Sequence, residues 1–359
     1  MRTETAVRDA AGSEAQRQSE YRRGNEMTVS LAVAAQALAY GALYILPAAS
    51  SAAWWAVLLL LLPAGLMRAL AHAVCRTAPE NAAETPAYRI AAGGMSLLFL
   101  LNMTVCLLTL TELTHAFFFP QASRWAVALA AAAALGLGMP RSDVAAPNAA
   151  RFLAVFLLAA FGFCAVTVLP SGETGYLFPL AGYGVGHTLR CALRGAGSVW
   201  MIGALAVLSP GQKAAPPVRS ALPGLLSLVA ISLLFLCCTY VLPGTQLDFS
   251  RGYALRMQIL MEMSPNVLSW SLMLMAEMLL YLAGFTVCGD LLRRSLRIAL
   301  RRPHVPLLPF ALLAVPPAVR GMGAWEALLT DLLPWRYPAA AVMMGVCLAG
   351  NRRRKMNNE

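Results

Sequence analysis

Apolar runs long enough to cross a bilayer recur along most of this chain, and that recurrence fixes its architecture before any motif is considered. The run at about 53–74 carries AWWAVLLLLLPAGLM, and the run at about 94–118 carries LLFLLNMTVCLLTLTELTHAFFF. Others lie at about 27–48, 125–139, 150–169, 191–209, 220–242, 267–288, 305–319 and 334–350. A hydrocarbon core needs about 20 helical residues to span it. Its dryness obliges each crossing segment to satisfy its own backbone, which leaves the helix as the form for runs of this kind. The sequence therefore predicts an all-α polytopic membrane protein of about ten transmembrane helices.

Composition agrees. Hydrophobic residues make up 59% of the 359 positions and charged residues 13%, against about 25% charge in soluble domains. The net charge of +11 invites a nucleic-acid reading, but the positions of the cations oppose it. With the N-terminus inside, 21 basic residues fall on the cytoplasmic side and 7 outside, the outer set being Arg124, Arg190, Arg194, Arg251, Arg256, Arg320 and Arg336. That bias is the positive-inside pattern of a membrane protein with both termini cytoplasmic. Anionic lipids, and no nucleic acid, are the partners it implies.

Residues 1–26 alternate Arg with acids and hold no apolar run, so they read as a flexible polar cytoplasmic tail. The membrane domain is expected over 27–350, with a basic cytoplasmic C-terminus at 351–359. The stretch 290–304, DLLRRSLRIALRRPH, reads as an inside amphipathic loop held against headgroups. The eight Cys show no CxxC or Cys-His spacing and are expected as small buried hydrophobes. No Walker loop, dinucleotide fingerprint or nucleophile–base set is present. The expectation is a protein that is not an enzyme, with no catalytic residue, metal or cofactor.

Candidate ligand-binding residues come from polarity and glycine inside the runs. Glu112 and Glu277 lie within apolar segments, where a carboxylate costs at least about 2.5 kcal/mol and so faces protein or water. Asn102, Thr104, Thr109, Thr111 and His115 add polarity to the segment of Glu112. Either Glu could instead be a hydrogen-bonded packing residue between helices, and His115 an interfacial one. Gly41 with Tyr44, and Gly195, Gly197 and Ser198, mark two segments able to interrupt their helices. A broken membrane helix exposes backbone groups to a small ligand, whereas small residues also serve close helix packing. The two segments are the first and sixth, equivalent places in a five-plus-five inverted repeat of transporter type.

Short stretches carry a family likeness: Tyr44-Ile45-Leu46-Pro47, Ala53-Trp54-Trp55, Gly138-Met139-Pro140 with Arg151, Leu177-Phe178-Pro179-Leu180, Gly182-Tyr183-Gly184, and Gly195 to Pro210. On these the chain resembles the permease-like B-subunits of bacterial spore germination receptors, within the amino acid–polyamine–organocation transporter superfamily. The resemblance implies a subunit that recognises a small nutrient, often an amino acid, in the spore inner membrane. It also implies A-type and C-type receptor subunits as partners and ligand-gated ion movement. A proton- or sodium-coupled amino-acid permease and a non-transporting membrane assembly subunit are the alternatives.

Overall fold

The computed structural model of the chain describes residues 29–41, 45–79, 82–138, 145–168, 170, 172–208, 217–241, 267–302, 305–319 and 322–358. Helices lie over the apolar runs, and among the described residues there is no strand. α1 (Val29–Tyr40) is followed by a helical turn, Leu46–Ala49. α2 (Ser50–Thr77) opens with a 3₁₀ turn and is interrupted at Leu59 and Leu60. The interruption has a covalent cause. Pro63 has no N–H for the Leu59 carbonyl, and the chain tightens there, with Leu60 N–H donating to Val57 O at 3.0 Å.

α3 (Pro86–Phe117) starts where Thr85 accepts from Tyr88 N–H and Pro86 fills the first helical position. α4 (Arg124–Gly138) is capped by Ser123, whose Oγ accepts from Ala126 N–H at 3.2 Å. α5 (Ala145–Val168), α6 (Val185–Gly195), α7 (Ala204–Leu208), α8 (Pro217–Val241), α9 (Val267–Leu300), α10 (Leu308–Leu313), α11 (Val315–Val319) and α12 (Met322–Asn358) complete the order. Among the described residues, four helices are long and apolar enough to cross a membrane, or five when the bent α6–α7 pair is taken as one span.

Small residues let these helices approach closely. A Cβ at Gly284 of α9 would lie 2.6 Å from Ala35 Cβ and 2.9 Å from Cys106 Sγ, so only small side chains separate α1, α3 and α9 there. Further along the α3–α9 contact the Ser96 and Ser295 hydroxyls bond to each other at 2.8 Å. Outward-facing Leu62, Ile90, Leu97, Phe152, Leu193 and Val342 are exposed, the surface that lipid tails would cover.

Three sequence expectations are corrected by the helices. The stretch at 290–304 is not a loop over most of its length: α9 runs to Leu300, and Asp290 pairs with Arg293 at 2.6 Å and Arg294 at 2.7 Å along the helix. These pairs at three and four residues sustain a helical continuation. The third apolar segment begins at Pro86, eight residues earlier than its apolar run, because Thr85 and Pro86 start the helix. Arg336 is not an outer loop cation. It is 1% exposed within α12, since the helix begins at Met322, well before the prolines that flank it.

Candidate functional site

Arg336 is the only buried cation among the described residues, and the core is arranged around it. Pro334 and Pro338 stand two residues before and after it inside α12. Each lacks the N–H that the carbonyl four residues earlier would accept, which loosens the helix at the turn carrying the arginine. The guanidinium then reaches α1 and α3. Its Nη1 donates to Gln36 Oε1 at 3.3 Å and, closely, to Asn102 Oδ1.

Both amides are wholly buried and themselves fixed. Gln36 Nε2 donates to the Asn102 carbonyl at 3.0 Å and contacts Cys106 Sγ at 3.2 Å. Asn102 Nδ2 donates to Met201 Sδ at 3.1 Å. Cys288 of α9 sits against the same thioether, Sγ to Sδ 4.0 Å. Orienting both amide groups this way presents two carbonyl oxygens to one cation.

The opposite edge of the guanidinium is not matched. Nε and Nη2 of Arg336 are buried without a hydrogen-bond partner among the described residues, and no carboxylate there pairs with it. These two nitrogens form the side-on fork that binds carboxylate or phosphate oxygens bidentately. A charge at the centre of a membrane helix costs about 2.5–3.5 kcal/mol on insertion scales, and such a residue marks function by default. An unpaired donor pair adds about 1–3 kcal/mol per group.

Met201 belongs to a break in the sixth segment. α6 ends at Gly195, 3₁₀ turns follow over Ala196–Ser198 and Trp200–Gly203, and the two halves bend by 43°. Ser198 holds the break by donating to Gly195 O at 2.7 Å. A Cβ on Gly197 would overlap the Leu333 carbonyl oxygen and lie 2.6 Å from its carbon, so glycine lets the broken segment reach the backbone of α12 three residues before Arg336. Gly195 faces the end of α1: its Cβ would meet Ile45 at 3.2 Å and Tyr40 at 3.4 Å. Phe99 and Trp200, ring centroids 5.0 Å apart, close an apolar side of this region.

The sequence candidates thus divide by location. Gly195, Gly197 and Ser198 form the break beside α1 and α12. Gly41 is buried against Phe235 of α8, a Cβ there falling 2.6 Å from the ring. Tyr44 lies outside the described residues. Glu112 sits ten residues beyond Asn102, about 15 Å along α3, with Oε1 3.3 Å from Arg124 Nη1 but without hydrogen-bond geometry. Glu277 is 2% exposed, and its Oε2 is unpartnered among the described residues. It shares a face of α9 with Tyr281 and Cys288, about 16 Å along the axis from the latter. Thr104 and Thr109 bond carbonyls of their own helix, at Leu100 and Val105.

Sequence reasoning missed Gln36, Met201 and Arg336. The signal for Arg336 was available: a cation between two prolines, followed by an apolar run.

The architecture has solved counterparts. It is similar in fold to a bacterial manganese transporter. A glutamate-to-glutamine variant of the Eremococcus coleocola manganese transporter aligns with 11% identity and a TM-score of 0.56, covering 90% of this chain and 74% of that one. A histidine-to-alanine variant aligns at 10% identity, and the complex with an aromatic bis-isothiourea substituted compound at 12%, with the same TM-score and coverage. No family model matches the sequence, and no curated protein does. At this level of identity the likeness is one of fold.

This match overturns the sequence resemblance to spore germination receptor B-subunits, and with it the amino-acid ligand, the A-type and C-type partners and the amino-acid permease reading. The quoted stretches have local physical roles instead. Ser51 Oγ donates to Pro179 O at 2.6 Å and Trp55 Nε1 to Leu180 O at 2.8 Å. Gly182, at φ 54°, packs against the Ala49 carbonyl. Residues 178–184 are a turn stapled to the start of α2.

Proposed function

We propose that this protein is a secondary transporter whose solute carries a negative charge, held by the Nε–Nη2 edge of Arg336. The observation that carries the reading is the half-satisfied guanidinium. Its Nη1 is locked by Gln36 and Asn102, and its bidentate edge is buried and unpartnered among the described residues. A fixed cation at the centre repels a free divalent ion and attracts an oxyanion. The solute class is a small organic or inorganic oxyanion.

The break at Gly195–Gly203 beside the end of α1 supports a five-plus-five inverted repeat, with segments one to five and six to ten as halves and the solute between the two first helices. Gly195, Gly197 and Ser198 would then supply backbone groups to the solute, with Gly41 and Tyr44 at the matching place in the first half. Glu112 and Glu277 stand away from Arg336 and would serve the moving parts of the protein. Both termini are assigned to the cytoplasm. With Arg336 in the core, the outer set of basic residues falls from 7 to 6 against 21, which strengthens the bias. In this scheme 1–26 is a cytoplasmic tail and 351–359 a basic cytoplasmic C-terminus.

The Met201, Cys106 and Cys288 sulfurs favour a second reading, passage of a transition-metal ion, since soft donors suit such ions. The solved counterparts are manganese transporters by name. Binding separates the two. Purified protein titrated with small oxyanions and with Mn²⁺ should gain thermal stability from an oxyanion. Arg336→Gln should weaken that effect at least about tenfold, or 1.4 kcal/mol, and Arg336→Lys should restore it only in part. Stabilisation by Mn²⁺ that is unchanged or enhanced in Arg336→Gln would establish the metal reading instead.

A further inference from the structure

A second polar feature lies far from Arg336, where α2 and α12 end side by side. A cavity of about 970 Å³ opens between them, lined by Ala69, His72, Ala73, Arg76, Thr77 and Pro79 on one side and by Leu348, Asn351, Arg352 and Arg354 on the other. Its lining is graded along both helices. Ala69, Ala73 and Leu348 line it within the helices, and Arg76, Arg352 and Arg354 line it nearer to their C-terminal ends. No acidic residue lines it, and the three arginines are exposed with no ion-pair partner among the described residues.

Hydrogen bonds join the two helices between these ends. Asn351 Nδ2 donates to Thr77 Oγ1 at 3.1 Å and to Tyr88 OH at 3.3 Å, tying α12 to α2 and α3. Thr77 in turn donates to Ala73 O at 3.0 Å. His72 Nδ1 is buried there without a hydrogen-bond partner among the described residues. A preformed cleft with an apolar base, a triple positive mouth and an unused ring nitrogen matches one kind of molecule.

We infer that this cleft is a binding site for an anionic phospholipid, its phosphate between Arg76, Arg352 and Arg354 and its acyl chains over Ala69, Ala73 and Leu348. A free phosphate shares the headgroup chemistry, but it would leave the apolar floor uncovered. The cleft opens at the face where α2 and α12 both end, which the distribution of basic residues assigns to the cytoplasmic leaflet, where anionic lipids gather. The site is independent of the transport reading, because none of its residues contacts Arg336, Gln36 or Asn102.

The test uses the full chain in detergent, with melting temperature read on adding phosphatidylglycerol, phosphatidylcholine or inorganic phosphate. Phosphatidylglycerol should raise the melting temperature by several degrees and remain bound in native mass spectra, and the other two should not. The double variant Arg76→Gln/Arg352→Gln should lose at least half of the shift. Arg353→Gln, which removes one charge outside the lining, should keep it. Ala73→Leu keeps every charge but fills the floor, and it should also lose the shift. An equal shift with phosphatidylcholine, a shift reproduced by inorganic phosphate alone, or a full shift in the double variant or in Ala73→Leu would each overturn the inference.

Discussion

Replacing Gly197 by alanine tests the contact on which the site geometry rests. The added Cβ would lie 2.6 Å from the Leu333 carbonyl carbon, against an optimal carbon–carbon separation of about 3.5 Å, a shortfall of about 0.9 Å. Both sides of this contact are backbone, so no side-chain rotation relieves it. The 3₁₀ turn at Ala196–Ser198 must move away from α12, or α12 must move and carry Arg336 with it. Overpacking of this kind costs about 1–3 kcal/mol. At about 2–4 °C per kcal/mol, melting should fall by several degrees. Gly65→Ala is the control, since a Cβ there meets nothing within 4 Å. Gly203→Ala is an intermediate case, since its Cβ would meet the flexible end of Met344 at 2.7 Å. Melting curves of the three purified variants, with oxyanion titrations, give the comparison. A Gly197→Ala protein that melts and binds like the parent would refute the close approach of the broken segment to α12.

Asn102→Asp places a carboxylate where an amide oxygen now accepts from Arg336 Nη1. The protein should melt no lower than the parent and lose oxyanion binding through neutralisation of the cation; retained binding on titration would count against the role given to Arg336. Trp55→Phe removes the 2.8 Å bond to Leu180 O, worth about 0.5–1.5 kcal/mol. Hydrogen exchange over residues 178–184 should accelerate while that of α3 stays unchanged. Ser96→Ala breaks the hydroxyl pair with Ser295 between α3 and α9 and should lower stability by about 1 kcal/mol, visible as a small drop in melting temperature with binding intact.

The membrane architecture was legible because apolar length is a direct physical requirement of the bilayer, and runs such as 53–74 admit little else. The interruption of the sixth segment was legible too: Gly195, Gly197 and Ser198 are residues a helix break can use, and the 43° bend lies at them. Arg336 lies at the start of the apolar run 334–350 and was counted with the outer cations, whereas α12 begins at Met322 and carries it inside the helix. Gln36 is a single amide in an Ala-rich helix, and only its tertiary partners on α3 and α12 give it meaning. Asn102 was visible as a polar residue, but nothing local distinguished it from the neighbouring threonines that bond their own helix. The family likeness misled because it rested on short stretches such as 178–184, which here have a local role, bonded by Ser51 and Trp55 to the start of α2.

The sign of the transported charge decides the account. Full-length protein in proteoliposomes, loaded in parallel with labelled small oxyanions and with Mn²⁺, should take up an oxyanion, and Arg336→Gln should abolish that uptake while the protein remains folded. Uptake of Mn²⁺ that persists or rises in Arg336→Gln, with no oxyanion carried by the parent, would contradict it.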